Sequence, residues 1–189
     1  MKVLVIPEDP ALDQYILKPI VERIFADLGK TPRIQVLSRP RLRGVAQALD
    51  SNIVADIVQT YPMVDLFLVM VDRDGDTRRP DRAKAVEGTQ PHLFVCLAIE
   101  EVEVWMLAAH REKLSDSWSE IRAEPHPKER FAHPFLAKYA PKPDAGPGEG
   151  RAWAMRDLGG GRWKGLLSTC EELQQLEQRL GEWLTMARA

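Results

Sequence analysis

Several features that often disclose a function are missing from this chain. Its 189 residues include two cysteines, Cys96 and Cys170. Neither belongs to a CxxC pair or stands at ligand spacing from a histidine, so no zinc site is indicated and two buried thiols are the expectation. Long hydrophobic runs are also missing. The stretch Val3 to Ile6 near the N-terminus is far shorter than a signal-peptide core or a membrane span, which points to a soluble cytoplasmic protein with no membrane partner. Neither sign of charge dominates, with 26 Lys and Arg against 28 Asp and Glu and a net charge of -2. Without an overall basic field, any nucleic acid has to be held by a local patch. Internal repeats and low-complexity tracts are absent. Gly159 to Gly165 is glycine-rich and basic but lacks the GK[ST] ending of a phosphate-binding P-loop, and reads as a flexible loop.

A hydrophobic content of 44% is sufficient for one core of ordinary size, with chain left over for an extension. Lys2 to Ile6 reads as a strand stopped by Pro7, and Ala11 to Leu28 as a helix with Leu12, Ile16, Ile20 and Ile24 on one stripe. Pro19 inside that pattern predicts a bend near Lys18 or a fresh first turn. Arg33 to Ser38 reads as a second strand and Val45 to Val58 as one amphipathic helix. Val64 to Val71 is apolar on both faces apart from Asp65, as a central strand covered by helices on both sides should be. His92 to Ala98 gives a fourth strand, followed by a helical pattern over Ile99 to Ala109. Four βα units predict an α/β protein with a mostly parallel, four-stranded, doubly wound sheet flanked by helices. Beyond Arg111 prolines and glycines break regular structure until a helix over Glu171 to Met186. We therefore divide the chain into an α/β domain, residues 1–128, and an accessory loop and helical segment, residues 129–189.

In an open parallel sheet, ligands bind outside the carboxyl ends of the strands. The residues following each strand here are charged: Glu8 and Asp9, then Arg39, Arg41 and Arg43, then Asp72, Asp74 and Asp76, then Glu100, Glu101 and Glu103. Each piece alone has an ordinary explanation, since Asp74-Gly75 is turn chemistry, Glu8 or Asp9 can cap a helix, and the glutamates can be a solvated helix face. Together they put acidic groups after three different strands. Crowded carboxylates repel one another, a cost that a hard divalent cation such as Mg²⁺ or Mn²⁺ removes. The cations Arg39, Arg41, Arg43, Arg78, Arg79, Arg82 and Lys84 lie beside the acidic residues in the chain and suit a phosphate-bearing substrate.

A Glu after the first strand, in VIPED, and the Asp72-Arg-Asp74-Gly-Asp76 of LVMVDRDGD resemble the Toprim domain of topoisomerases, primases and OLD-type nucleases. The segment AIEEVEVWMLA, with Glu100, Glu101, Glu103 and Trp105, looks like the acidic stretch after the fourth strand in small stand-alone Toprim-like proteins of prokaryotes. The resemblance covers roughly residues 1 to 110. It implies a Rossmann-like Toprim fold in which Glu8 acts as general acid or base. Asp72 and Asp74 would hold Mg²⁺, with Asp76 and one of Glu100 or Glu103 completing the metal shell. Asp9-Pro10 stands where the family usually has a glycine, and Asp13 is a further candidate for the acidic role. Topoisomerase or primase activity would need modules for which this chain has no room, so the resemblance points to a metal-dependent nuclease acting on DNA or RNA, with self-association into a homodimer left open.

Rival readings come from other classes. Asp72-Arg-Asp-Gly-Asp-Thr77 also resembles the DxDGT signature of haloacid-dehalogenase phosphatases, although that motif normally follows the first strand. An EF-hand is disfavoured because glycine falls at the fourth loop position and Ala83 at the twelfth. A non-catalytic, Toprim-like regulatory protein could use the same rim to hold a nucleotide or nucleic acid. Arg151, Trp153, Arg156, Arg162, Trp163 and Lys164 could stack and hold a single strand, or their tryptophans could pack the accessory segment onto the core.

Overall fold

The computed structural model describes residues 1–142 and 144–186; Pro143 and residues 187–189, which fall in the accessory segment, lie outside the described residues. The strands are β1 (Lys2–Pro7), β2 (Arg33–Val36), β3 (Leu66–Asp72) and β4 (Leu93–Ala98), interleaved with helices α1 (Gln14–Asp27), α2 (Val45–Ala48), α3 (Ser51–Thr60) and α4 (Arg79–Glu87). After β4 come α5 (Glu103–Ala108), α6 (Trp118–Ala123), α7 (His133–Tyr139), α8 (Arg151–Ala154), α9 (Gly160–Thr169) and α10 (Glu171–Met186). The four strands form one sheet in the order β2-β1-β3-β4, and every pairing is parallel. The molecule is thus an α/β protein of Rossmann-like architecture. The chain leaves β1 toward β2 on one side and returns to β3 on the other, so the crevice between the carboxyl ends of β1 and β3 is the topological switch point.

Strand side chains alternate between the two faces, and the alternation divides the core. Val3, Val5, Leu66, Leu68, Met70, Cys96 and Ala98 face one side, where α1, α5, α9 and α10 cover them. Leu4, Ile6, Phe67, Val69, Val71, Leu93 and Val95 face the other, under α2, α3 and α4. Burial on both faces explains why β1 and β3 are almost uninterrupted runs of apolar residues. Both cysteines are buried and reduced.

Local physics moved several boundaries. The helix expected over Val45 to Val58 is two helices, because Asp50 adopts extended backbone and its carboxylate accepts from the Asn52 and Ile53 amides, starting α3 anew. Pro19 lies inside the single element α1 and does not open a new helix. The helix expected from Ile99 starts at Glu103, since Glu100 takes a left-handed φ of 65° that no helix accommodates. The glycine-rich stretch 159–165 is not a loop. Most of it forms α9, whose Trp163 is buried and donates its indole N–H to Asp27.

Residues 111–170, expected to be largely irregular, contain short helices that join the same core as the sheet. Ile121, Phe131, Leu136, Met155 and Trp163 share it with Leu173, Leu176 and Leu180 of α10. The division drawn at 128/129 falls inside the helical turn Lys128–Ala132. The deepest polar tie is an ion pair between Glu103 and Arg151, whose side chains are 1% and 0% exposed and whose closest atoms are 2.7 Å apart. Arg151→Met should leave that carboxylate buried with its guanidinium gone, a defect of about 3–5 kcal/mol. The loss should appear as a lower urea midpoint and be largely recovered in Glu103→Gln/Arg151→Met. A loss below about 1 kcal/mol, the range of exposed pairs, would show that the pair does not hold the segment down.

Candidate metal centre at the strand ends

Three carboxylates converge where β3 and β4 end. Oxygens of Asp72, Asp74 and Glu101 lie within 4.8 Å of one another, the spacing of ligands around one cation. Each is placed by backbone. Asp72 is the last residue of β3, and its Oδ1 accepts from the Val102 amide at 2.8 Å. Asp74 and Gly75 have φ of 44° and 63°, a left-handed pair that turns the chain sharply after the strand. The amides of Arg73 and Asp74 donate to the Glu100 carbonyl at 2.9 and 3.1 Å, stitching the β3 and β4 loops together. Arg79 then fixes the Asp74 carboxylate at 2.7 Å while also donating to the Asp72 carbonyl at 2.8 Å.

Glu8 approaches from β1, across the switch point. Its Oε2 is buried and has no hydrogen-bond partner. Gly44, with φ 87°, lets the β2–α2 loop pass close by: a Cβ at position 44 would sit 3.6 Å from Glu8 Oε1. Asp13 and Glu103 close the inner side, both buried. From the C-terminal segment, the Lys128 amide donates to Glu101 Oε2 at 2.6 Å, and the Lys128 ammonium lies 3.8 Å from Glu103.

Burial and mutual repulsion raise Asp72, Asp13, Glu101 and Glu8. Burial pushes Asp72 up to about 9, helped by Glu103, Asp13 and Glu8 and opposed by the Val102 amide. Burial also lifts Asp13 to about 7, with Glu103 and Asp9 adding to it. Glu101 reaches about 7 through burial, with Glu103 and Glu129 adding and the Lys128 amide opposing. Glu8 is raised first by burial and then by Asp74. An all-oxygen donor set, held at ligand spacing beside an unpartnered buried carboxylate oxygen, fits a hard divalent ion such as Mg²⁺ or Mn²⁺.

The geometry redistributes the residues expected from the sequence. Asp72 and Asp74 come together with Glu8 nearby, but Asp76 turns away. Both of its oxygens are held by Arg78 at 3.0 Å, and that hydrogen bonding lowers it to about 2. Glu100 lies outside this three-residue group; its Oε1 pairs with Arg73, while its Oε2 is buried without a partner. Glu103 is committed to Arg151. The carboxylate that this segment contributes to the group is Glu101. The resemblance pointed to one of Glu100 or Glu103, but residues 100 and 101 precede α5 in a tight turn, and that turn brings Glu101 to the group.

The basic residues also separate. Arg79 touches the site, Arg78 serves Asp76, and Arg82 donates to the Ala46 and Leu49 carbonyls at 2.8 and 3.2 Å, tying α4 to α2. Arg39, Arg41, Arg43 and Lys84 are exposed. Of the aromatic and basic group near residue 160, Arg151 and Trp163 are buried, and Trp153 stacks on His110 at 6.0 Å between ring centroids. Sequence reasoning missed Lys128 and Arg151 as site components, and neither sits in a motif that would have revealed it.

A carboxyl raised from 3.8 to about 7 in the folded state holds a proton that the unfolded chain has released. Its contribution therefore favours folding at low pH and is progressively lost as pH rises from about 4 to 7. With EDTA present, Asp13→Asn should raise the melting temperature at pH 8, because an amide oxygen still accepts from Asp9 N–H, which lies 2.9 Å from Asp13 Oδ2. The gain should shrink toward zero near pH 4. A gain independent of pH would mean that the buried charge is not its source.

Comparisons with family models, curated proteins and solved structures found no match for this chain. The functional reading therefore rests on the placement of its own side chains.

Proposed function

We propose that this protein is a cytoplasmic, divalent-metal-dependent nuclease of the Toprim type that hydrolyses phosphodiester bonds in DNA or RNA. The observation that carries the reading is the convergence of Asp72, Asp74 and Glu101 within 4.8 Å, beside Glu8 at the switch point of a parallel sheet. A hard divalent ion bound there would supply Lewis-acid charge next to the scissile phosphate. The chain's own residues do the rest. Arg79 and the Val102 amide hold Asp74 and Asp72 in a fixed geometry, which limits reorganisation when substrate binds. Glu8 is the proton carrier. Its Oε2 is free of protein partners, and its raised pKa keeps the proton to higher pH than an ordinary carboxyl would. Arg39, Arg41 and Arg43 are exposed on the β2–α2 loop, whose Gly44 passes close to Glu8, and suit the flanking phosphates.

Labelled single- and double-stranded DNA and RNA incubated with Mg²⁺, Mn²⁺ or EDTA provide the test. Cleavage should require the cation and be lost in Asp74→Ala and Asp72→Asn, whereas Glu8→Gln should retain metal binding and lose about 10²–10⁴-fold in turnover. Independently of substrate, Mg²⁺ at a hundred times its dissociation constant should raise the wild-type melting temperature by roughly 5–10 °C, and Asp72→Asn/Asp74→Asn should abolish the shift. A metal-dependent shift without cleavage of any of the four substrates would leave a binding or regulatory protein and remove the nuclease.

A further inference from the structure

The carboxylates at the rim outnumber the cations committed to them. Arg79 is spent on Asp74 and the Asp72 carbonyl, and Arg151 is enclosed with Glu103. Lys128 differs from both. Its backbone N–H anchors it to Glu101, but its ammonium makes no hydrogen bond among the described residues, and its nearest carboxylate oxygen, on Glu103, is 3.8 Å away. The side chain is 31% exposed, so its three donors are reachable from solvent. Its charge nevertheless reaches inward, drawing down Glu8, Asp13 and Glu101. An ammonium held by backbone geometry over a carboxylate floor, with its donors unused, is arranged to receive an anion.

Resting on the nuclease reading above, we infer that Lys128 is the second cation of the site. The Asp72–Asp74–Glu101 group takes a single divalent ion, and the Lys128 ammonium stands where a second would have to be held and binds a non-bridging phosphate oxygen of the substrate. Two observations favour this over a two-ion site. Glu103, the next carboxylate inward, is consumed by Arg151. A second divalent ion beside Glu101 would also lie against a fixed positive charge, a repulsion that the partly desolvated rim screens poorly. The residue that completes the rim therefore comes from beyond the βα units, from the turn Lys128–Ala132.

Calorimetric titration of Mn²⁺ into the full-length protein, with no substrate present, tests the inference. Wild type should bind one ion. Lys128→Met keeps the backbone bond to Glu101 and removes the charge. It should bind two ions, or one at least about tenfold more tightly, while its affinity for a short single-stranded oligonucleotide in Ca²⁺ falls by about tenfold. Lys128→Arg should restore the wild-type stoichiometry and most of the oligonucleotide affinity. An unchanged Mn²⁺ isotherm in Lys128→Met, or two ions bound by wild type, would overturn the role given to Lys128 and leave the metal site standing. Wild type that binds no Mn²⁺ would remove the metal site and Lys128's role together.

Discussion

The organising constraint in this molecule is the repulsion among carboxylates gathered at one end of a parallel sheet. Glu8 and Asp13 come from the β1–α1 connection, Asp72 and Asp74 from the end of β3 and the turn after it, and Glu101 and Glu103 from the β4–α5 connection and the start of α5. Burial makes the repulsion worse, as the rise of Asp72 to about 9 records. The architecture answers by placing donors. The Val102 amide, the Lys128 amide, Arg79 and the enclosed Arg151 each bear on a different carboxylate. What remains after these assignments is a small group of oxygens at ligand spacing and one unpartnered oxygen on Glu8.

Much of the frame was readable from local sequence. β1 and β3 are apolar on both faces, which only a sheet covered on both sides explains, and the βα rhythm implied parallel pairing. Asp72 and Asp74 were readable for the same reason, since a strand that ends in acidic residues delivers them to the carboxyl edge of the sheet. Errors arose where a local rule was extended across a hidden break. Val45 to Val58 has a single helical stripe, but Asp50 offers its carboxylate to the Asn52 and Ile53 amides and splits it. Likewise the helix expected from Ile99 begins only at Glu103, and a left-handed Glu100 in the turn before it brings Glu101, rather than the Glu100 or Glu103 that the resemblance implied, to the group. Asp76 was lost to Arg78, two residues along, a competition that the pattern of acids alone does not display.

The roles of Lys128 and Arg151 at the rim were hidden for a different reason. A contact made across 27 or 48 residues of chain leaves no periodicity or spacing to detect. Both lie in a stretch whose prolines and glycines suggested irregular packing material. In the structure that stretch supplies the counter-charges of the rim, together with core residues such as Trp163 and Leu176. Segments of low regularity can thus be chemically specific even where they are poor in secondary structure.

The long separation within the Glu103–Arg151 pair also bears on how the chain is made. Synthesis runs from the N-terminus, and Glu103 is added 48 residues before the guanidinium that neutralises it. The four strands and Glu101 are complete while Arg151 has yet to be added, so a nascent sheet at that stage would carry Glu103 without the partner that encloses it. Closure of the rim waits for the C-terminal third of the chain to dock. A protein arranged in this way comes into its working form late in its own production, and a prematurely terminated chain would carry the acidic residues without the counter-charges that organise them.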